Sequence, residues 1–222
     1  MRKNAIVPYR RIADLPQLIP IFPLDGALLL PGGDLPLQIF EPRYLNMVDD
    51  AMAGDRLIGM IQTRGGARSN PILSNVGCVG RITSYNETSD GRYLITLTGV
   101  CRFDAGEELS LRTPYRQVRA KYERFERDLA DEEARISEAG RARFAKALKK
   151  YLNRRELDID WETANEAPLE ALVNSLCMGL PFEPAEKQAF LEAKDLASRF
   201  EALTMLLEID VSDPDDSHQS LQ

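Results

Sequence analysis

Short apolar runs separated by proline and glycine dominate the opening of the chain. Residues 19–22, 27–30 and 35–40 form three such runs, each four to six residues long, and turn-forming residues bound them. This pattern predicts three buried strands. Pro42 suits the first position of a helix because it lacks the N–H that an intrahelical hydrogen bond would use, and apolar residues then recur at helical spacing up to Gly54. A helix is therefore predicted directly after the third strand.

Further strands follow this helix. They are predicted from continuous or alternating apolar segments at residues 57–61, 76–85, 92–103 and 115–125. Residues 63–71 are rich in glycine and polar residues, which predicts a mobile loop. Asp90 and Gly91 tolerate the positive φ of a tight turn, so they predict a hairpin between the strands that flank them. Gly99 predicts a bulge, and the first half of the chain is thus mostly β-structure.

The period of the pattern changes after residue 128, where helical spacing takes over. Apolar residues recur at this spacing within residues 144–152, 169–177 and 196–207. Gly179 marks the end of a helix, and Pro184 opens a short one. The second half of the chain is therefore predicted to be a helical bundle. After Asp210 the sequence is polar and acidic, with too little apolar surface to offset its ordering entropy, which predicts a disordered tail.

Several short motifs are specific enough to be compared with known families. In the opening segment they are IPIFPL at 19–24, LPG at 30–32 and LPLQIFEPRY at 35–44. Later motifs in predicted strands are GCVGRI at 77–82, DGRY at 90–93, LTG at 97–99, RF at 102–103 and PYR at 114–116. Motifs in the helical half are LP at 180–181 and KQ at 187–188. Together they resemble the Lon protease N-terminal domain family, or LON substrate-binding domain, over residues 18–208.

This resemblance implies an α+β fold in which a PUA-like β pseudo-barrel with an embedded helix precedes an α-helical bundle. The pseudo-barrel is then expected at residues 18–126 and the helical subdomain at 127–210, with an N-terminal extension at 1–17 and a disordered acidic tail at 211–222. In the full Lon protease this module precedes an ATPase domain and a peptidase domain. Nothing after Ile209 could house either, so the chain is predicted to be a stand-alone member of the family.

Composition narrows the classes of function further. The chain has 222 residues, of which 44% are hydrophobic, and no apolar stretch approaches the roughly 20 residues of a membrane helix. Because no signal-peptide core follows the N-terminus, a cytoplasmic location is predicted. The net charge of −7 argues against a broad nucleic-acid interface, which needs clustered lysine and arginine. Cys78, Cys101 and Cys177 are widely spaced and are predicted to be buried free thiols.

Residues for catalysis or metal binding do not form a productive pattern. The single histidine, His218, lies in the predicted tail, and the glycine-rich string of a P-loop nucleotide site does not occur. A Ser-Lys dyad of Ser175 with Lys187 or Lys194 has nothing in the sequence that brings it together. A second histidine and cysteines at ligand spacing, which a metal site would need, are missing from the sequence. We predict no catalytic residue, no metal and no cofactor.

Apolar surface is the remaining candidate for a functional site. Prolines at positions 20, 23, 31 and 36 cannot complete every ladder hydrogen bond, so their strands are predicted to lie at edges or at bulges. An edge with exposed backbone beside apolar side chains can receive an extended peptide by strand addition. The predicted peptide-binding residues are Leu28, Leu29, Pro31, Phe40 and Tyr44. The alternative is that Phe40 and Tyr44 pack the helix against the sheet.

The resulting hypothesis is a non-catalytic module that binds unfolded or degron-bearing polypeptides, as the resemblance implies. It would act as an adaptor in protein quality control, with a protease or a chaperone as a further partner, and with neither a membrane nor a nucleic acid. Two other classes stay open. A PUA-like barrel would also suit an RNA-binding module, and a concave pocket with shifted ionisations would indicate an enzyme of unrecognised type.

Overall fold

The structure, a computed structural model, describes residues 9–67, 70–109, 112–130 and 136–212. Its strands are β1 (Leu18–Pro23), β2 (Asp34–Ile39), β3 (Leu57–Ala67), β4 (Asn70–Glu87), β5 (Tyr93–Glu108) and β6 (Gln117–Lys121). Its α-helices are α1 (Pro42–Ala53), α2 (Glu138–Arg154), α3 (Trp161–Glu166), α4 (Leu169–Gly179), α5 (Pro184–Glu192) and α6 (Leu196–Ser212). Short 3₁₀ helices cover Ile12–Asp14 and Glu123–Leu129. Residues 1–8 of the predicted extension and residues 213–222 of the predicted tail, with His218, lie outside the described residues.

The six strands form one sheet in the order β2-β5-β4-β3-β1-β6, and β6 also pairs with β5. The closure is possible because β5 is 16 residues long and its two ends have different partners. Residues 93–98 pair with β2, while residues 104–108 pair with β6. Five strands thus close into a ring, and β2 lies outside the ring with β5 beside it. The predicted α+β class is confirmed.

β1 lies between β3 and β6, so of the two predicted settings for its prolines, an edge or a bulge, the edge is wrong for this strand. Its first half pairs with β6 and its second half with β3. The Ile21 N–H donates to the Arg116 carbonyl, so odd-numbered residues of β1 direct their backbone groups toward β6 and even-numbered residues toward β3. Pro20 therefore faces β3 before that ladder begins, and Pro23 faces β6 after that ladder has ended. Neither proline removes a ladder hydrogen bond.

Residues 27–30 do not form a strand, and the prediction for this run is wrong. The leucines of the run are buried, but their backbone joins no ladder. Turns at both ends hold the run as a loop, since Gly26 and Gly32 have positive φ values of 71° and 74°. We call residues 26–32 the leucine loop. The apolar pattern indicated its burial correctly and its secondary structure incorrectly.

Side chains from distant parts of the sequence bind the backbone of the leucine loop. The Gly26 N–H donates to Gln62 Oε1 at 3.2 Å, and Lys187 Nζ donates to the Gly26 carbonyl at 2.9 Å. Asn174 Nδ2 donates to the Pro31 carbonyl at 2.9 Å. A buried backbone group without a partner costs free energy comparable to a lost hydrogen bond. These side chains therefore bind the backbone at both ends of the leucine loop, at Gly26 and at Pro31.

The hairpin formed by β3 and β4 is longer than predicted. Residues 63–71 were expected to form a mobile loop, but β3 continues to Ala67 and β4 begins at Asn70, which corrects this prediction. The pairing shifts register twice in this region, where Gly65 and Gly66 take positive φ values of 97° and 90°. The strand predicted at 115–125 is also revised, because β6 covers only its middle and a 3₁₀ helix follows.

Arg116, which directly precedes β6, leads to a pH prediction. Arg116 Nε and Nη2 donate to the two carboxylate oxygens of Glu108 at 2.6 Å each, and Nη1 donates to the Pro71 carbonyl at 2.8 Å. Hydrogen bonding and charge from Arg116 lower the pKa of Glu108 below its ordinary value. Because the folded-state pKa is the lower one, the stabilisation is present above the unfolded-state pKa and is lost as pH falls through the folded-state pKa.

We expect the Arg116→Gln substitution to raise the pKa of Glu108 toward its ordinary value. An NMR titration of the Glu108 carboxyl carbon measures this directly. Arg124→Gln is the control, since Arg124 pairs with Asp104 instead, and it should leave the Glu108 pKa in place. An unchanged pKa in Arg116→Gln would show that another group holds the carboxylate.

Contacts divide the described residues into two compact units that do not follow chain order. The first unit contains the sheet, α1, the second half of α4 and α5. The second unit contains α2, α3, the first half of α4 and α6. The division falls between Val173 and Asn174, inside α4. Helices from the half that was predicted to form a bundle therefore contribute to both units.

In the first unit, α1 and α5 pack against strands. As predicted, α1 begins at Pro42, and it places Tyr44 with its ring centroid 4.3 Å from that of Phe22 on β1. On α5, Phe190 is fully buried, and its ring lies 5.1 Å from that of Phe182. Aromatic pairs at these distances add to the free energy of apolar burial. Tyr44 thus packs α1 onto β1, while Phe190 packs α5 against Phe182 of the segment that precedes it.

A buried ion pair within the first unit joins β5 to the 3₁₀ helix at Glu123–Leu129. Arg102 and Asp128 side chains are 3% and 8% exposed, with Nη2 to Oδ1 at 2.8 Å and Nε to Oδ2 at 2.9 Å. The Arg102 backbone N–H also donates to Asp128 Oδ2 at 3.0 Å. Arg102 Nη1 donates to the Leu191 carbonyl at 2.9 Å, which ties α5 to the same cluster. A desolvated charge pair with this many hydrogen bonds fixes the positions of β5, the 3₁₀ helix and α5 relative to one another.

The second unit is organised around α2 and α6. Phe144 and Phe200 form its aromatic contact, with ring centroids 4.9 Å apart. Arg143 on α2 donates to Glu201 and Glu208 on α6, each at 2.6 Å. The positive charge on this part of α2 is therefore matched by carboxylates of the facing helix.

Candidate functional site

The five predicted peptide-binding residues do not share a surface. Leu28 and Leu29 are 2% and 1% exposed, Tyr44 is 5% exposed, and Pro31 is buried with its carbonyl bound by Asn174. Phe40 differs, since 62% of it is exposed just after the end of β2. In this conformation only Phe40 can contact a ligand. A peptide-binding role for the five as a set remains a prediction.

Leu29 and Tyr44 illustrate how these side chains fill the interior. Leu29 Cδ2 occupies the space over Gly80, where an added Cβ would lie 2.6 Å from it. Tyr44 packs α1 against Phe22 of β1, which is the alternative weighed for it in the sequence. Burial raises the pKa of the Tyr44 hydroxyl. Both residues therefore contribute to packing of the sheet unit.

β2 has an open edge, because β5 is its only strand partner among the described residues. The Gly99 N–H donates to the Gly33 carbonyl at 2.8 Å, which fixes the direction of the alternating backbone groups. Odd-numbered residues of β2 consequently point their N–H and C=O groups toward β5, and even-numbered residues point them away. The outward groups belong to Asp34, Pro36 and Gln38, all of which are exposed. Within the described residues, no strand covers them.

Pro36 stands at the middle of this open edge, as predicted for a proline-containing strand. Its missing N–H would have pointed outward, so β2 loses no hydrogen bond to β5. The outward N–H groups that remain are those of Asp34 and Gln38, while all three residues keep an outward carbonyl. The edge thus has two donors and three acceptors spaced at every second residue.

Apolar side chains flank the open edge on both faces of the sheet. On the outer face, exposed Pro36 and Phe40 lie diagonally across from Leu94 of β5, which is 41% exposed and pairs with Gln38. On the other face, Leu35 and Leu37 are half-buried. We call the unpaired edge together with Pro36, Phe40, Leu94, Leu35 and Leu37 the β2 edge site. It combines exposed apolar groups with unpaired backbone.

Sequence reasoning found Phe40 and missed the rest of this site. Leu94 alternates with buried residues of β5, so its outward direction was readable from the period of that strand. Proline in a strand predicts an edge or a bulge. Because the opening segment has four prolines, this pattern does not distinguish the strand of Pro36 from the others. The β5 partnership that identifies β2 as the edge is a long-range pairing, and no local pattern contains it.

A cavity of about 140 Å³ lies beside the start of β1, the end of α1 and Tyr115. The Tyr115 hydroxyl donates to Asp50 Oδ2 at 2.7 Å. Burial and this hydrogen bond raise the pKa of Tyr115 to about 12. The cavity is well below the roughly 300 Å³ at which small-molecule sites usually begin. It therefore adds no support to the alternative of an unrecognised enzyme.

The residues considered for catalysis or metal binding lie in different settings. In the described part of the chain, no cluster of three His, Cys, Asp or Glu side chains could hold a metal ion. Lys187 donates to the Gly26 carbonyl, while Ser175 is exposed on α4. The three cysteines are buried and form no disulfide, and burial raises the pKa of the Cys101 thiol.

A sequence model for a known family matches most of the chain. The model describes the ATP-dependent protease La (LON) substrate-binding domain, and it matches residues 18–208. The chain belongs to this family. The LON domain therefore spans both compact units, including the α5 motif at 187–188 whose lysine binds the leucine loop.

The curated proteins that match this LON domain are Lon proteases, and each match covers only part of a longer protein. Lon protease 2 of Myxococcus xanthus is 28% identical over 202 residues, which are 87% of this chain and 24% of that protease. Lon protease of Roseiflexus castenholzii is 25% identical over 204 residues, which are 91% of this chain and 25% of that protease. The chain thus spans about a quarter of the length of these relatives.

Solved structures support the fold. A Lon N-terminal domain protein from Xanthomonas campestris aligns with a TM-score of 0.61 at 20% identity, covering 85% of this chain and 97% of that one. The N-terminal domain of Lon protease from the Mycobacterium avium complex gives the same TM-score and identity, covering 89% of this chain and 99% of that one. The likeness is one of fold. No helix among the described residues has both the length and the apolar character to cross a bilayer.

Proposed function

We propose that this LON domain is a non-catalytic recognition module for unfolded or degron-bearing polypeptides. The observation that carries the proposal is the match of residues 18–208 to a family described as a substrate-binding domain. The β2 edge site supports it, because unpaired backbone beside apolar side chains suits a ligand that offers the same two features. An unfolded polypeptide offers both, whereas a folded protein has buried them.

The proposal extends to a role as an adaptor in protein quality control. The chain would bind a client in the cytoplasm and pass it to a protease or chaperone that works on it. The three buried cysteines and the small cavity beside Tyr115 offer no competing chemistry for such a role. Binding alone is the activity that we propose for it.

RNA binding is the alternative that the same experiment separates. Basic residues of α2 would be the natural phosphate contacts, but Arg143 pairs with two glutamates of α6 and Arg155 pairs with Asp210. The net charge of −7 further opposes a polyanion. Polypeptide recognition is therefore the better supported of the two.

Fluorescence anisotropy with three labelled ligands tests the proposed function. They are a reduced and alkylated model protein, its native form, and a single-stranded RNA. We expect the unfolded form to bind and the native form and RNA to bind at least ten-fold more weakly. Because the contacts are mainly apolar and backbone contacts, affinity for the unfolded form should change little between about 50 and about 200 mM salt.

Two results would contradict the proposal. Equal affinity for unfolded and native protein would remove recognition of the unfolded state. Preferential RNA binding that falls steeply with salt would put the RNA module in its place. The same unfolded protein should stay intact during incubation with the chain and ATP, and its cleavage would show that the chain is an enzyme.

A further inference from the structure

We propose that the β2 edge site takes up one extended, uncharged apolar segment of a client polypeptide, which adds to the sheet as a strand beside β2. This inference rests on the proposed function and adds to it the place of binding, the conformation of the bound segment and its composition. Strand addition requires an edge that is unpaired, accessible and long enough for several hydrogen bonds. β2 meets these requirements over its six residues.

The backbone of the edge determines the conformation of the ligand. Asp34 and Gln38 each present an outward N–H and C=O, and Pro36 presents an outward C=O between them. Only an extended chain places complementary groups at this two-residue spacing. A helical ligand has its backbone groups satisfied internally and would leave the edge unpaired.

The side chains around the edge determine the composition of the ligand. An added strand would lie beside Asp34, Pro36, Gln38 and Phe40 on the outer face, all of them exposed, and beside half-buried Leu35 and Leu37 on the other. Successive residues of the bound strand point to opposite faces, so apolar side chains are favoured on both faces, beside Leu35 and Leu37 on one and beside Pro36 and Phe40 on the other. Such continuous apolar segments occupy the interiors of folded proteins. They become accessible when the protein unfolds, which gives a physical basis for selectivity.

A second copy of this chain is a poorer occupant of the same edge. An antiparallel pairing of two β2 strands that matches the outward groups of residues 34, 36 and 38 places Pro36 opposite Pro36 of the other copy. Two outward carbonyls then meet without an N–H between them, and the central pair of hydrogen bonds is lost. A client segment with an N–H at this position can donate to the Pro36 carbonyl. The proline therefore disfavours self-pairing more than it disfavours a heterologous strand.

Three variants of the full chain test the proposal with the labelled unfolded protein as probe. Gln38→Pro removes an outward N–H and leaves the ladder to β5 in place. Phe40→Ser removes the exposed ring. Ile209→Ser is the matched control, because Ile209 on α6 is also 62% exposed. We expect about ten-fold weaker binding or more for Phe40→Ser, a loss of about two- to ten-fold for Gln38→Pro, and unchanged affinity for the control.

A measurement on the unmodified chain covers the case in which a variant fails to fold. A synthetic apolar peptide taken from the unfolded model protein is added at saturation, and amide hydrogen exchange is followed at Gln38. We expect exchange at Gln38 to slow at least ten-fold. A version of the peptide with N-methyl groups at alternate residues keeps its side chains but loses the N–H donors along one edge. When that edge faces β2, the N-methylated peptide should bind at least ten-fold more weakly than the unmodified peptide.

The outcomes separate this inference from the proposed function. If the unmodified chain binds unfolded protein while folded Gln38→Pro and Phe40→Ser bind it equally well, the site is elsewhere and the broader function stands. Equal loss in Ile209→Ser would also overturn the site, because it would show non-specific apolar contact. A dimer that Gln38→Pro dissociates would assign the edge to a second copy. No binding to any unfolded ligand would remove the proposed function itself.

Discussion

Replacing Arg102 with alanine should lower the free energy of unfolding by about 3 to 5 kcal/mol. The substitution leaves the Asp128 carboxylate buried with no guanidinium to bind, and it leaves the Leu191 carbonyl without its donor. An uncompensated buried charge accounts for most of the loss, because the net value of the intact pair is small after desolvation. The remainder comes from the lost packing of the arginine stem and from its contact with the Phe125 ring at 4.5 Å.

Chemical denaturation of the two proteins measures this difference. Arg124→Ala is the matched control, since Arg124 also lies over the Phe125 ring, at 4.9 Å, and also pairs with an aspartate, but its side chain is 52% exposed. Its substitution should cost less than about 1 kcal/mol. Similar losses for the two arginines would mean that burial does not set the strength of the Arg102 pair. Asp128→Asn provides a second route to the same test, because it removes the charge with little change in shape.

Replacing Gly99 with alanine should destabilise the protein by about 3 kcal/mol or more. Gly99 lies at the predicted bulge, where consecutive residues Val79 and Gly80 of β4 pair with Cys101 and Gly99 of β5 and Val100 is skipped. A Cβ at position 99 would stand 2.1 Å from the Leu30 carbonyl oxygen and 2.8 Å from the Leu30 carbonyl carbon. Both are backbone atoms of the buried leucine loop, which cannot rotate away as a flexible side chain would. The loop must therefore move, and the hydrogen bonds between Gly99 and the chain around Gly32 must stretch or break.

Gly179→Ala is the control for this substitution. Gly179 ends α4, and an added Cβ there meets nothing within 4 Å. Its stability should change by less than about 1 kcal/mol, which is the difference in helix propensity between the two residues. If Gly99→Ala were equally mild in thermal or chemical unfolding, the close approach of the leucine loop to the bulge would be wrong.

The sequence predicted those elements whose cause is local. The helix at Pro42, the hairpin turn at Gly91 with its φ of 77°, and the bulge at Gly99 all follow from properties of one or two residues. Motif resemblance gave the α+β class and the family before any contact was known. These predictions are correct because proline and glycine restrict or free the backbone directly, independently of the residues that surround them.

The sequence failed where distant residues replace local hydrogen bonds. The run at 27–30 has the apolar pattern of a buried strand, yet it forms a loop, and Gln62, Lys187 and Asn174 bind the backbone of Gly26 and Pro31 at its two ends. Burial and strand formation are usually coupled because buried backbone must be paired. Here the side chains that bind the ends of the loop lie more than thirty residues away in sequence, and a local window does not include them.

The candidate site was only partly predictable for a related reason. Apolar residues at the opening of the chain fill the core or face solvent, and both Leu29 and Phe40 belong to apolar runs that predict buried strands. Exposure separates them, at 1% and 62%. Leu29 lies in the leucine loop and Phe40 follows the end of β2. The open edge of β2 in turn depends on β5, which begins more than fifty residues after Phe40. The sequence predicted that the functional site is an apolar surface. The order of strands determines that this surface lies along β2.

The late position of residues 174–192 in the chain affects how the protein can be made. A ribosome releases all six strands before it reaches the segment that donates to the leucine loop and provides the Leu191 carbonyl for Arg102. During that interval the nascent sheet lacks its final stabilising contacts, and domains normally complete folding only when all their parts have emerged. Slow translation across this stretch would prolong exposure of an unfinished β-structure, and fast translation would shorten it.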